Sequence, residues 1–263
     1  MKTFLSLLIS LFAINQIGAK AQDAKAIEEE LVKQFQKIDY WFSFGPGDEN
    51  VSPADSLESA NEIFEEALVR YASTNPATLH YDFTHLINEG LEIIDSPDGQ
   101  FRIYSWDSQT GGTMHFFRNV FQYKSNGRVY ARSDSLAREP GDGGVNYLTV
   151  QVLKTTHKKY YLATYQSIAS SKDGYQGIKA FAIVNNNLHD SVKLIRTKSG
   201  IMNSLGFAFD FFSVADRPER PLKLITYYAE KKAIHLPVVL EDGTVTNTSI
   251  VYRFTGRYFE KAN

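Results

Sequence analysis

One string gathers aromatic, acidic, imidazole and glycine residues in close succession: Tyr104-Ser105-Trp106-Asp107-Ser108-Gln109-Thr110-Gly111-Gly112-Thr113-Met114-His115. If its first residues form a strand, alternation puts Arg102, Tyr104 and Trp106 on one face and Phe101, Ile103, Ser105 and Asp107 on the other. Two rings beside a guanidinium can stack a sugar or an aromatic ligand, because each ring offers an apolar face and a polar handle. The glycine pair lets the backbone turn sharply and approach a ligand, while Asp107 and His115 supply orienting hydrogen bonds. Tyr104, Trp106, Asp107 and His115 are therefore the candidate ligand-binding residues. The same spacing fits a second arrangement, in which the rings cover the core or receive helices and Asp107 only starts the turn.

Other chemistries find less footing. Asp210 sits inside the apolar run Leu205 to Phe212, where burial would raise its pKa and make it a general acid if Asp107 faced it across a cleft. The alternative is an Asp on a wet edge or in a turn. Of the histidines at 80, 85, 115, 157, 189 and 235, His80 and His85 come closest in sequence to a pair, yet five residues apart they share a face of neither helix nor strand. The Gly111-Gly112 loop lacks the glycine spacing and following lysine of a phosphate cradle, and no G-x-S-x-G elbow is present. The chain has no cysteine, which removes disulfides, thiolate metal sites and thiol nucleophiles. No catalytic residue is assigned, and no metal or cofactor is expected. Lys154, His157, Lys158 and Lys159 beside Tyr160 and Tyr161 read as a solvated hairpin turn rather than a nucleic-acid grip.

The elements that must position these residues fall into two blocks. Ile27, Leu31, Phe35 and Ile38 recur at helical spacing, and Gly45-Pro46-Gly47-Asp48 ends that helix. Ser52-Pro53-Ala54-Asp55 opens a second, with Leu57, Ala60, Phe64, Leu68 and Tyr71 as its apolar stripe and Asn75-Pro76 as its stop. Beyond Leu91 the period becomes two, with turn chemistry at Ser96-Pro97-Asp98-Gly99, Ser125-Asn126-Gly127, Lys172-Asp173-Gly174, Asn185-Asn186-Asn187 and Glu241-Asp242-Gly243. The 15 tyrosines and 18 phenylalanines are spread through these strands, as a thick β core requires. The fold class is thus mainly β (α+β): a short helical segment packed on antiparallel β-meanders, propeller-like or a sandwich. Residues 1–21 read as a signal peptide, 22–76 as the two-helix segment and 77–263 as the β body. Segments starting at Phe101, Tyr160 and Leu222 begin alike, which hints at a repeated meander and equally at the common reuse of aromatic strand starts.

The string from Tyr104 to His115 resembles one found in a group of secreted bacterial proteins of unassigned activity. The resemblance extends to the ending Tyr252-Arg253-Phe254-Thr255-Gly256-Arg257-Tyr258-Phe259. It implies export and a shared fold, and brings no catalytic residue with it.

Lys2, the apolar run Phe4 to Ile14 and Ala19-Lys20-Ala21 have the order of a cleavable leader, with an apolar core shorter than the roughly 20 residues that span a bilayer. Without a cysteine to carry lipid, a lipoprotein is excluded, and a periplasmic or extracellular location is expected, with no integral membrane segment after cleavage. The 28 basic against 30 acidic residues of the whole chain give a charge of −2, so no global field attracts nucleic acid. The leading reading is an exported, non-catalytic binding or interaction protein for a glycan or peptide, its oligomeric state left open. The alternatives are a secreted glycan hydrolase using Asp107 and Asp210 as paired carboxylates, and a structural or assembly partner at the cell envelope. N-terminal sequencing of exported protein is expected to begin at or near Gln22, and a retained leader would overturn the localisation.

Overall fold

The structure is a computed structural model that describes residues 24–43, 51–134 and 141–262. The expected leader and the loop through Gly45 to Asp48 lie outside these residues. Helix α1 occupies 24–43 and buries Ile27, Leu31, Phe35 and Ile38 along one stripe, as their spacing dictates. Helix α2 (Pro53–Thr74) starts where Ser52 Oγ accepts the Asp55 N–H and a proline occupies the first turn. Its stripe from Leu57 through Phe64 to Ala72 packs on α1.

Two further helical pieces ahead of the first strand were not expected. Asn75 ends α2, and its side chain accepts the Ala77 N–H at 3.0 Å to start a 3-10 turn over Pro76–Leu79. Helix α3 (Thr84–Glu89) has no cap from its own sequence, because Phe83 stands at the N-cap. Glu28 of α1 caps it instead. Its Oε1 accepts His85 N–H at 2.7 Å and Leu86 N–H at 3.4 Å, and its Oε2 accepts the Tyr81 hydroxyl at 2.9 Å.

Fifteen strands follow among the described residues. Strands β1 (Glu92–Asp95), β2 (Phe101–Asp107), β3 (Phe117–Ser125) and β4 (Arg128–Ser133) form an antiparallel sheet in sequence order, sheet I. Next come β5 (Asn146–Lys154), β6 (Lys159–Ile168), β7 (Asp173–Val184), β8 (Asn187–His189), β9 (Ile195–Thr197), β10 (Gly200–Met202) and β11 (Ser204–Asp210). The last are β12 (Thr226–Tyr228), β13 (Ala233–Val239), β14 (Val245–Phe254) and β15 (Phe259–Lys261). Sheet II has the order β11-β7-β6-β5 with β8 paired to β7, and sheet III the order β10-β9-β15-β14-β13-β12. Pairing is antiparallel except between β15 and β9. Asn126-Gly127 and Asn185-Asn186 make their hairpin turns with positive φ at both central residues, the geometry that matches strand twist.

The sheets stack as layers. The helices cover one face of sheet I around Phe64, Tyr104 and Trp106; the other face meets sheet II through Phe101, Phe121, Tyr161 and Phe181. Sheet II then meets sheet III through Leu162, Ile178, Ile234 and Phe259. No closed barrel forms among the described residues, and the arrangement is a sandwich rather than a propeller. The repeated meander is not found: Phe101 and Tyr160 lie in β2 and β6, but Leu222 to Ile225 is irregular. Its backbone pairs with a side chain instead of a strand, since Gln176 Nε2 donates to Leu222 O and Gln176 Oε1 accepts Leu224 N–H. The helices share their core with sheet I, so the N-terminal segment is a layer of the same body.

One turn bolts sheet I to sheet II. Asp98, between β1 and β2, accepts Ser96 Oγ and Gln100 N–H through Oδ1, and Lys159 Nζ at 2.7 Å and Tyr161 OH at 3.3 Å through Oδ2. Burial would raise its carboxyl, but Lys159, Ser96 and the Gln100 N–H outweigh burial and hold it below the usual range. A depressed folded-state value means the contribution is complete above the unfolded-state value of about 4 and is lost as pH falls through the folded one. Because Lys159 stays 40% exposed, solvent limits the pair to roughly 0.5–1 kcal/mol. Asp98→Asn is expected to lower the urea midpoint at neutral pH and to converge with the parent under acid. Parallel midpoints across the whole acid range would refute the clamp.

Candidate functional site

The structure divides the string from Tyr104 to His115 between core and surface. Strand β2 is buried on both faces, and the face carrying Tyr104 and Trp106 lies under the helices. Trp106 is 1% exposed; its Nε1 donates to Asn61 Oδ1 of α2 at 3.0 Å, and its ring meets Phe64 edge-on at 5.1 Å. Tyr104 is 0% exposed, edge-on to Phe83, with its hydroxyl 2.7 Å from Gln122 Oε1 and 3.1 Å from Thr78 O. Burial pushes its phenol up to about 12. The expectation that these rings stack a ligand is therefore corrected. The apolar stripes of α1 and α2 need an aromatic surface to close on, and the two rings supply it.

Asp107 and His115 stay at the surface. Asp107 Oδ2 and His115 Nδ1 are 2.5 Å apart, with the Asp107 side chain 32% and that of His115 41% exposed. Asp107 Oδ1 also accepts Gln109 N–H, and the His115 ring lies nearly parallel to Phe117. Gly111 has no room for a side chain, as a Cβ there would lie 2.0 Å from Met114 O. The carboxylate fixes the imidazole as it would a general base, but among the described residues only Asp107 hydrogen-bonds that ring.

Asp210 ends β11 and caps the 3-10 turn Phe211–Val214, accepting Phe212 N–H at 2.8 Å with Lys172 Nζ at 3.5 Å. It belongs to sheet II and Asp107 to sheet I, and they share no partner among the described residues. No group of three or more His, Cys, Asp or Glu that could hold a metal occurs among the described residues.

An apolar-walled cleft lies elsewhere, and sequence reasoning missed it. It is a cleft of about 310 Å³ where the β6–β7 turn faces the segment after β11. Ile168, Phe209, Phe211, Pro221 and Leu222 give it apolar walls, and Arg220, Asp173, Gln166 and three serines also line it. Gly174 of β7 lets Phe209 lie across the strand, since a Cβ at Gly174 would be 2.7 Å from the ring. Arg220 donates to the carbonyls of Ala215, Arg217 and Glu219 and stands 5.7 Å from the Phe211 ring centre. No carboxylate pairs with it among the described residues. The cleft draws on three separated stretches, and only the two phenylalanines flanking Asp210 hinted at it.

The sequence matches no protein-family model, and no curated protein or solved structure is similar enough to carry a fold or function across.

Trp106→Ala is expected to cost about 3–5 kcal/mol and to lower the unfolding midpoint sharply, as truncation of a core ring does. An unchanged midpoint in thermal unfolding would return Trp106 to the surface.

Proposed function

We propose that the chain is an exported, non-catalytic binding module that takes an apolar peptide side chain with a neighbouring carboxylate. What carries this reading is the cleft: apolar walls drawn from three stretches of chain, and at its rim an exposed guanidinium without an acidic counter-ion among the described residues. The walls formed by Ile168, Phe209, Phe211, Pro221 and Leu222 offer a leucine or phenylalanine side chain an apolar seat. The leader features Lys2, Phe4 to Ile14 and Ala19-Lys20-Ala21 support export. No helix of the described residues is long and apolar enough to cross a membrane.

Burial of one such side chain contributes about 1.5–3 kcal/mol, and a charge-assisted hydrogen bond a similar amount. Association costs consume much of this, so a single anchor binds weakly, with Kd of order 10⁻⁴ to 10⁻³ M. Titration of the labelled protein with N-acetyl-Phe-Glu and N-acetyl-Phe-Gln amides, followed by amide NMR, tests the proposal. The Glu peptide should shift the Ile168, Gly174 and Leu222 signals saturably and bind several-fold tighter than the Gln peptide, a preference that Arg220→Ala abolishes. Equal affinity for both peptides, or no shift at these positions, would overturn it.

A further inference from the structure

On the opposite face of sheet II lies a second pocket of different chemistry. Tyr165 and Gln166 are consecutive in β6; Gln166 lines the apolar cleft, whereas Tyr165 lines a polar pocket of about 300 Å³ between sheets I and II. Asp134, Asp142 and Asp190 present carboxylates there, and Lys179 and Asn203 present donors. Asp190 is held between two cations, Lys179 Nζ at 3.4 Å and Arg132 Nη2 at 3.5 Å, while Asn203 Nδ2 donates to its carbonyl at 3.3 Å. Asp142 is anchored by accepting the Gly144 N–H.

The group that points to a ligand is Tyr147. It is only 2% exposed, its ring packs against Phe121, Tyr165 and Phe181, and it lines this pocket. Its hydroxyl has no hydrogen-bond partner among the described residues, and it is not among the polar atoms sealed away from solvent. Buried phenols in folded proteins normally have their hydroxyl satisfied by protein or by water, and a hydroxyl that opens onto a polar pocket and has no protein partner among the described residues can exchange that water for a ligand hydroxyl.

The charges narrow what that partner is. A bare cation meets Lys179 and Arg132, and a bare anion meets three carboxylates. A neutral ring of hydroxyls meets no repulsion, donating to the carboxylates while accepting from Lys179 and Asn203. The volume lies near the lower end of ligand pockets, which run from about 300 Å³, and admits one ring rather than a chain. We propose that this pocket binds a single neutral sugar residue, with the Tyr147 hydroxyl, the Asp190 carboxylate and the Lys179 ammonium as its principal contacts. The site is independent of the peptide cleft, and its failure would leave that reading untouched.

Tyr147→Phe is the informative variant, because it removes a hydroxyl that no described protein group needs. Amide NMR titrations with methyl glucoside, methyl galactoside, methyl mannoside and N-acetylglucosamine, each to about 50 mM, are compared between parent and variant beside thermal unfolding of both. At least one sugar should shift Lys179 and Asn203 saturably in the parent, and the variant should bind it about five- to thirtyfold more weakly with an unfolding midpoint at or above the parent's. Absence of saturable shifts with all four sugars would overturn the proposal, as would equal affinity in the variant or a lowered midpoint that makes the hydroxyl structural. Stronger shifts at the same residues with calcium chloride or sodium phosphate would overturn it as well.

Discussion

A strand with no wet face can carry polar side chains only if each finds a partner, and β2 carries Arg102, Tyr104, Ser105 and Trp106 within a few residues. Some of the partners are side chains of neighbouring strands and of α2, and others are the carbonyls of Thr78 and Tyr81 in the connection between α2 and α3. Arg102 forks onto Asp95 with Nε and Nη2 and gives Nη1 to the carbonyls of Thr78 and Tyr81. Gln122, beside Tyr104 on β3, donates to Ala72 O and Thr78 Oγ1. Asn61 accepts from Trp106 and donates to Leu57 O and Ser108 O. Each bond contributes only about 1 kcal/mol net, but one left unmade costs about 1–3, so the network fixes where the helices sit more than how strongly they are held. With the helical layer committed to covering β2, that strand has no open face for a ligand on that side.

The two proposed binding sites both border sheet II and share a device. Three glycines lie beneath aromatic rings of neighbouring strands: Gly174 under Phe209, Gly177 under Tyr165 and Gly206 under Tyr175. A Cβ at Gly177 would come within 2.3 Å of the Tyr165 ring, and one at Gly206 within 2.5 Å of the Tyr175 hydroxyl. Rings that lie across a strand rather than stand on it expose their faces sideways. Phe209 becomes a wall of the apolar cleft on one side of the sheet, and Tyr165 a wall of the polar pocket on the other.

The periodic features were legible in the sequence. The helical stripes from Ile27 to Ile38 and from Leu57 to Leu68, the Ser52-Pro53 start and the Asn-Gly turn are local signals with local causes. The fate of Tyr104 and Trp106 was not, because alternation separates two faces without saying that both are dry, and Arg102 beside them reads as a surface residue. Helix α3 escaped because it spans one and a half turns and borrows its cap from Glu28, 57 residues before His85. Leu222 to Ile225 reads as a strand because alternation records burial, and its three apolar residues are buried, but their partner is the side-chain amide of Gln176. Neither pocket has a contiguous signature, since each assembles from strand ends and connections far apart in the chain.

The outer half of the Tyr104 to His115 string takes on meaning from this layering. Where β2 leaves the core, Asp107 and His115 close the loop across their 2.5 Å contact, and Ser108 N–H and Oγ both donate to Phe116 O. The loop is tied outward as well: His115 N–H donates to Ile168 O, and Phe117 N–H donates to Gly143 O, whose residue has no space for a side chain against His115 O. Ile168 is the end of β6 and a wall of the apolar cleft. The pair thus stands between the helix-covered strand, which cannot move without breaking its buried network, and the strand end that shapes the cleft. The side-chain contact closes the loop within sheet I, and the His115 backbone joins that loop to Ile168, a residue already paired with Gly174 in the β6–β7 hairpin, so the loop and the cleft wall are held to one another through main-chain bonds.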